Sequence, residues 1–344
     1  MGAAAIAAYV LLRRRGEASL SVSANDRVRA AESSARAIVV APEGVTATLD
    51  VFKPQHITDI TGETSPTTFP NPLLTRVWPR NMNFVAPGDC IIETQLVSKG
   101  GLVGTPGVAA PRVFSRLGPM ERLYWDPTTV KVAIVTCGGL CPGLNTVIRD
   151  ITMCLWYVYG TREIYGVQNG FKGFYDGTPW IPLNPDVVST IHTQGGTILG
   201  SSRGGFEEKD RAKTLDAIDA RGINLVFTIG GDGTMRGTLA MVRDASARRM
   251  RICIGGVPKT IDNDIAIIDK SFGFDSAVAG AVEPIACANT EAKAAPNGVG
   301  LVQLMGRNAG FIAVHASMAS QDVCVASKSP WHAPSPLLFD HLAP

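Results

Sequence analysis

The chain has 344 residues, 45% apolar and 18% charged, with 32 basic and 30 acidic side chains and a formal charge of +2. That length suggests about two domains, and the composition argues against disorder or a coiled coil for the bulk of the chain. The balanced charge supplies no broad basic surface, so no nucleic-acid partner is expected.

Residues 3–12 (AAAIAAYVLL) run into Arg13, Arg14 and Arg15. So short an apolar run is too short to span a bilayer, and a secretory signal carries its positive charge before the apolar run. No membrane span is expected. Residues 16–49 mix Ala, Ser and Arg with four acidic residues. They read as a poorly ordered tail or as a plastid transit segment. Residues 50–127, rich in Pro, Asn and Thr, read as an irregular extension packed along a domain. The 7 cysteines are scattered and odd in number, which gives neither a disulfide framework nor a zinc pattern. A reducing compartment fits: the cytoplasm, with the plastid stroma as the alternative.

From Lys131 apolar β-branched runs alternate with helix-length stretches. Strands are expected at 131–136, 163–168, 223–230, 251–256 and 298–304. Helices are expected at 146–160 and near 207–221, 235–249, 275–293 and 308–320. The alternation predicts an α/β fold, a doubly wound and mostly parallel sheet covered on both faces. Ligands of such sheets bind at the carboxyl ends of the strands.

Four loops at those ends carry the polar chemistry. Residues 138–145 (GGLCPGLN) follow a strand and open a helix, so Gly138 and Gly139 offer either an anion cradle or a tight turn. Gly230, Gly231, Asp232, Gly233 and Thr234 allow close backbone approach and supply a hard oxygen ligand suited to Mg²⁺. The competing reading is a helix start capped by Asp232 or Thr234. Lys259, Thr260, Asp262 and Asp264 place two carboxylates near a lysine, a costly grouping outside a charged site. One carboxylate could take a proton from a substrate hydroxyl while the other orients it. Met305, Gly306 and Arg307 open the fourth loop, after the last expected strand, and Arg307 with Arg203 gives two guanidinium groups for phosphate oxygens. Cradle, metal carboxylate, base and arginines are the parts of a phosphoryl-transfer site.

The segments TCGGLCPGLNTVIRD, GGTILGSSRGGF, IGGDGTMRG, PKTIDNDI, DKSFGFDSAV and LMGRNAGFIA resemble the 6-phosphofructokinases in order and spacing, over roughly residues 55–326. The combination is similar to the plant and algal ATP-dependent branch. The resemblance implies transfer of the γ-phosphoryl group of Mg-ATP to the C1 hydroxyl of fructose 6-phosphate. Asp262 would be the base, Asp264 its support, and Thr260 would position phosphate. Asp232 would hold Mg²⁺. Gly138 would lie against the nucleotide phosphates, and Arg203 would stabilise the transferring group. Met305, Gly306 and Arg307 would contact the sugar phosphate. Gly233 would select ATP, since the pyrophosphate-dependent branch carries Asp there; Lys259 occurs in that branch too and points the other way. Family members are oligomers, so a homo-oligomer or association with full-length subunits is implied.

The resemblance breaks off at residues 327–331 (SKSPW), where Lys328 stands in place of the family's sugar-binding Glu. A shortened, poorly soluble chain with little activity is expected. A silent, regulatory paralogue and the pyrophosphate-dependent enzyme are the alternatives. The expected organisation is a tail over 1–49, an extension over 50–127 and a nucleotide-binding α/β domain over 128–265. A partial sugar-phosphate domain over 266–326 and an irregular tail over 327–344 follow.

Overall fold

A computed structural model describes residues 35–40, 46–52, 55–64, 66–75, 84–86, 89–92, 113–204, 206–265, 268–306 and 309–320. The amino-terminal part forms two small sheets. Strands β1 (Ala35–Val40) and β2 (Thr46–Phe52) pair antiparallel, so the expected tail contributes regular backbone from residue 35. Helix α1 (Ile57–Thr61) follows, and then the short strands β3 (Phe69–Pro70), β4 (Cys90–Ile92), β5 (Val113–Ser115) and β6 (Arg122–Leu123). One sheet runs β1-β2-β5-β4, and the other pairs β3 with β6. Among the described residues of the expected extension the regular elements are short. Its Glu63 meets Arg251 at 3.2 Å, and Tyr124 Oη donates to Glu63 Oε2 at 2.6 Å. A groove of about 740 Å³ opens along this seam, beside Trp125 and Thr129.

The principal sheet is built from β7 (Lys131–Thr136), β8 (Glu163–Val167), β9 (Ile181–Pro182), β10 (Leu225–Gly230) and β11 (Cys253–Pro258). Its order is β11-β10-β7-β8-β9, parallel except at β8–β9. Alternation along β7 decides which helix covers which face. Val132 and Ile134 pack under α2 (Leu144–Met153) with Leu144, Ile148 and Ile151. A short helix, α3 (Pro185–Val188), joins that face through Val188. Ala133 and Val135 face the other way. They meet Leu215 and Ile218 of α4 (Glu208–Ala220) and Met241 and Ala245 of α5 (Asp232–Ala247). Each fully buried Leu, Ile or Val stabilises the fold by about 1.5–3 kcal/mol, which commits β7 to a two-sided core. The fold is α/β and doubly wound, as the sequence predicts.

A third apolar cluster joins α6 (Phe274–Lys293) to α7 (Phe311–Ser320) through Phe274, Ile285, Ile312 and Ala316. The strand expected at 298–304 does not form. Its alternation survives: Val302 and Leu304 pack on the third cluster, while Val299 is 88% and Leu301 92% exposed. Gly298 and Gly300 lie so close to α6 that an added Cβ would collide with the backbone of Ala292 and Ala288. A strand also needs a ladder partner, and none is hydrogen-bonded to this segment among the described residues. Two smaller differences concern register. The expected strand 251–256 lies at 253–258, and the helix expected over 146–160 starts at Leu144 and widens into a π-helix at Cys154–Tyr159.

Candidate active site

The chain leaves β7 through α2 to reach β8 on one side, and β10 later returns on the other side of β7. That reversal opens a crevice at the carboxyl ends of β7 and β10, the position where open α/β sheets take ligands. Gly138 sits there at φ 83°, a left-handed conformation that suits glycine. Its N–H donates to Ser202 O at 2.9 Å, and Ser201 Oγ donates to its carbonyl at 2.6 Å. Thr136 Oγ1 donates to Gly200 O at 2.7 Å. Asn145, at the start of α2, donates to Gln194 O and accepts from Ile198 N–H. The loop after β7 and the segment leading to Arg203 are thereby stitched together. Arg203 itself is exposed.

At the end of β10, Gly231 is the N-cap of α5 and no side chain caps it. The capping reading of Asp232 and Thr234 therefore fails. Thr234 is buried against Gly230, and its carbonyl accepts from Thr238 Oγ1 at 2.8 Å. Asp232 and Gly233 are exposed in the first turn of α5. A Cβ added at Gly233 would lie 3.9 Å from Arg236 Nη2. One carboxylate at a helix start fits a Mg²⁺ carried mainly by phosphate oxygens and water. Among the described residues no group of three or more His, Cys, Asp or Glu could hold a metal unaided.

At the end of β11, Lys259 N–H donates to Gly230 O at 2.9 Å. Its side chain turns back beneath the first loop, and Nζ donates to Gly139 O. Lys259 is only 8% exposed. Burial holds its pKa below the usual lysine value, partly offset by Cys141 and Cys137, while Arg203 lowers it further. Burial also pushes the Cys137 thiol up to about 12, so that sulfur stays neutral near pH 7. Lys259 thus sets a buried cation against the loop after β7, a field that favours an anion.

Thr260 Oγ1 accepts from Asp262 N–H at 3.0 Å. Asp262 is half-buried and Asp264 is exposed, with Asn263 between them at φ 52°. The structure thus brings Gly138, Gly139, Gly231, Lys259 and Arg203 together, with Asp232 beside Gly231. Met305 is 74% exposed and Gly306 adopts φ 128°. Arg307 and Lys328 lie outside the described residues. Sequence reasoning passed over Asn145, Ser201, Ser202, Asn263 and Ser271, whose polar atoms fix these loops. Their signal was position alone: each lies inside or beside a glycine-rich or acidic loop.

The sequence pattern of a family described as Phosphofructokinase matches residues 131–332. The chain belongs to the phosphofructokinase family. It is 47% identical over 251 residues to ATP-dependent 6-phosphofructokinase 7 of Arabidopsis thaliana, covering 72% of this chain and 50% of that one. A similar match, 47% over 250 residues, is to ATP-dependent 6-phosphofructokinase 4, chloroplastic, of the same plant, covering 72% and 45%. The ATP-dependent 6-phosphofructokinase of Borreliella burgdorferi is 49% identical over 213 residues, covering 61% and 47%. The chain spans about half the length of the curated relatives it matches. The crevice at β7 and β10 is thus the carboxyl-end crevice of a phosphofructokinase-type sheet. No helix among the described residues is long and apolar enough to cross a membrane.

Proposed function

We propose that this phosphofructokinase chain carries the nucleotide half of an ATP-dependent 6-phosphofructokinase. The reaction moves the γ-phosphoryl group of ATP to the C1 hydroxyl of fructose 6-phosphate, a glycolytic step. The observation that carries the reading is the convergence of Gly138, Gly139, Gly231 and Lys259 at the β7–β10 crevice.

In this reading Gly138 and Gly139 bring main chain against the nucleotide phosphates. Lys259 and Arg203 supply positive charge as negative charge shifts between oxygens. Asp262 accepts the proton of the C1 hydroxyl with Asp264 as its support, and Thr260 positions phosphate. Asp232 would hold Mg²⁺, which when bound neutralises phosphate charge. Met305, Gly306 and Arg307 would contact the sugar phosphate. Catalysis of this type rests on positioning and charge, with few covalent demands on the protein.

ATP is favoured over pyrophosphate because Gly233 adds no second carboxylate beside Asp232 in the first turn of α5, where it would meet phosphate charge. Residues 128–265 act as the nucleotide-binding domain and 266–326 as part of the sugar-phosphate domain. The site is completed in an oligomer, with copies of itself or with longer subunits, in the cytoplasm or the plastid stroma. The test is a coupled assay of purified protein for fructose 1,6-bisphosphate with ATP and with pyrophosphate. It is run on the chain alone and after co-expression with a full-length relative inactivated at its own catalytic carboxylate. Turnover with ATP supports the reading. Turnover with pyrophosphate alone replaces the donor. Mg-ATP binding without turnover in either preparation indicates a silent regulatory chain.

A further inference from the structure

The Asp262 loop and the Gly138 loop leave different strands, yet one short segment touches both. Ser271 is 4% exposed. Its N–H donates to Asn263 Oδ1 at 2.8 Å, and its Oγ donates to Thr260 O at 2.6 Å. Both partners flank Asp262, whose own N–H is held by Thr260 Oγ1. Asn263 tolerates the left-handed backbone here, and its side-chain oxygen closes the turn.

The next two residues face the other loop. Phe272 O accepts from Cys141 Sγ at 3.4 Å, and a Cβ added at Gly143 would meet the Phe272 ring at 3.4 Å. Gly273 stands at φ 89°, and a Cβ there would collide with Cys141 Sγ and come within 3.0 Å of Pro142 O. Gly273 is also the N-cap of α6, so the segment is anchored to the longest helix described. Lys259 ties the same two loops from the crevice side through Gly139 O.

We infer that residues 271–273 form a clamp that sets the spacing between the anion loop and the carboxylate loop, with Ser271 as a positioning residue for Asp262. A misplacement of about 1 Å in a reacting geometry costs roughly 10²-fold in rate, so such a clamp acts on turnover more than on nucleotide affinity. Ser271 touches neither reactant in this scheme. It acts through Thr260 and Asn263. The kinetic part of the inference rests on the proposed phosphoryl transfer. The structural part does not.

The experiment uses the full chain and the variants Ser271→Ala, Ser271→Thr and Asn263→Ala, each co-expressed, where activity is read, with a full-length relative inactivated at its own catalytic carboxylate. Amide hydrogen exchange is followed for 260–264, 137–145 and strands β7 and β10. Loss of one buried, satisfied hydroxyl is expected to raise exchange at 260–264 by roughly tenfold, with the strands unchanged. Ser271→Thr keeps the hydroxyl and restores protection. Asn263→Ala removes the clamp's other hydrogen bond, the one from Ser271 N–H, and reads the clamp should Ser271→Ala fail to fold. In turnover, kcat falls by about tenfold or more while the KM for ATP holds. Unchanged exchange at 260–264, or an equal rise across β7 and β10, overturns the clamp. So does a KM increase without loss of kcat. Absence of turnover in the unmodified preparation defeats the phosphotransferase reading, and the exchange data then decide the clamp alone.

Discussion

Lys259 Nζ donates a hydrogen bond to the main-chain oxygen of Gly139, so the lysine after β11 supports the loop after β7. The two residues are 120 apart in sequence. Their contact turns two strand-end loops into one surface facing the crevice. Burial lowers the lysine's pKa in the folded chain. In the pH window between that lowered value and the ordinary 10.5, the unfolded state binds more protons than the folded one. Folding stability contributed by Lys259 should therefore rise with pH through this window. Urea unfolding of the chain and of Lys259→Met, at neutral and at alkaline pH, checks the sign. A stability difference between the two that does not change with pH removes the buried charge as its cause.

Asp262→Asn should lower kcat by about 100-fold or more and leave Mg-ATP affinity unchanged, the usual scale for loss of a general base. The amide keeps the size of the side chain, and the Thr260 contact is made by backbone N–H. Steady-state kinetics with a calorimetric titration of Mg-ATP separates the two effects. Unchanged kcat takes Asp262 out of the base role.

Gly233→Asp should weaken use of ATP more than use of pyrophosphate, by about tenfold in kcat/KM, or 1.4 kcal/mol. The new Cβ would start 3.9 Å from Arg236 Nη2, so the carboxylate has a local cation to hold it in the first turn of α5. Held there, it repels phosphate charge. Parallel kcat/KM measurements with both donors decide the matter. Equal losses mean that position 233 does not read the donor.

Leu301→Lys, alone or with Val299→Lys, should reduce self-association and binding of an apolar dye, with thermal stability held within about 0.5 kcal/mol. Both side chains are exposed, on a segment that pairs with no strand among the described residues. Charges on such an edge oppose strand-to-strand association. Light scattering at rising concentration gives the answer. A large drop in melting temperature would show that these side chains pack inside the fold.

Much of this architecture is written locally. Val132, Ala133, Ile134 and Val135 form an unbroken apolar run, and only a strand covered on both faces buries all four. The glycine-rich loops and the Lys259–Asp264 segment were legible for the same reason, because backbone freedom and paired charge are properties of residue type, whereas Gly233 stood out only through the family resemblance. Other features depended on distant partners. The alternating run 298–304 has the period of a strand, but a strand is a paired object, and pairing is settled by what lies alongside. The register of β11 was set by β10, which pulls Pro258 opposite Gly230. Ser271 and Cys141 lie inside segments that carry the family resemblance, but the resemblance gives neither a role. Their roles come from hydrogen bonds to Thr260, Asn263 and Phe272 that no local pattern encodes. Sequence alone singled out the glycine-rich and acidic loops, and it set three of them, after β7, β10 and β11, on one parallel sheet. Tertiary structure decided how those loops are braced against one another, because a hydrogen bond between segments exists only once the sheet brings their atoms within about 3 Å.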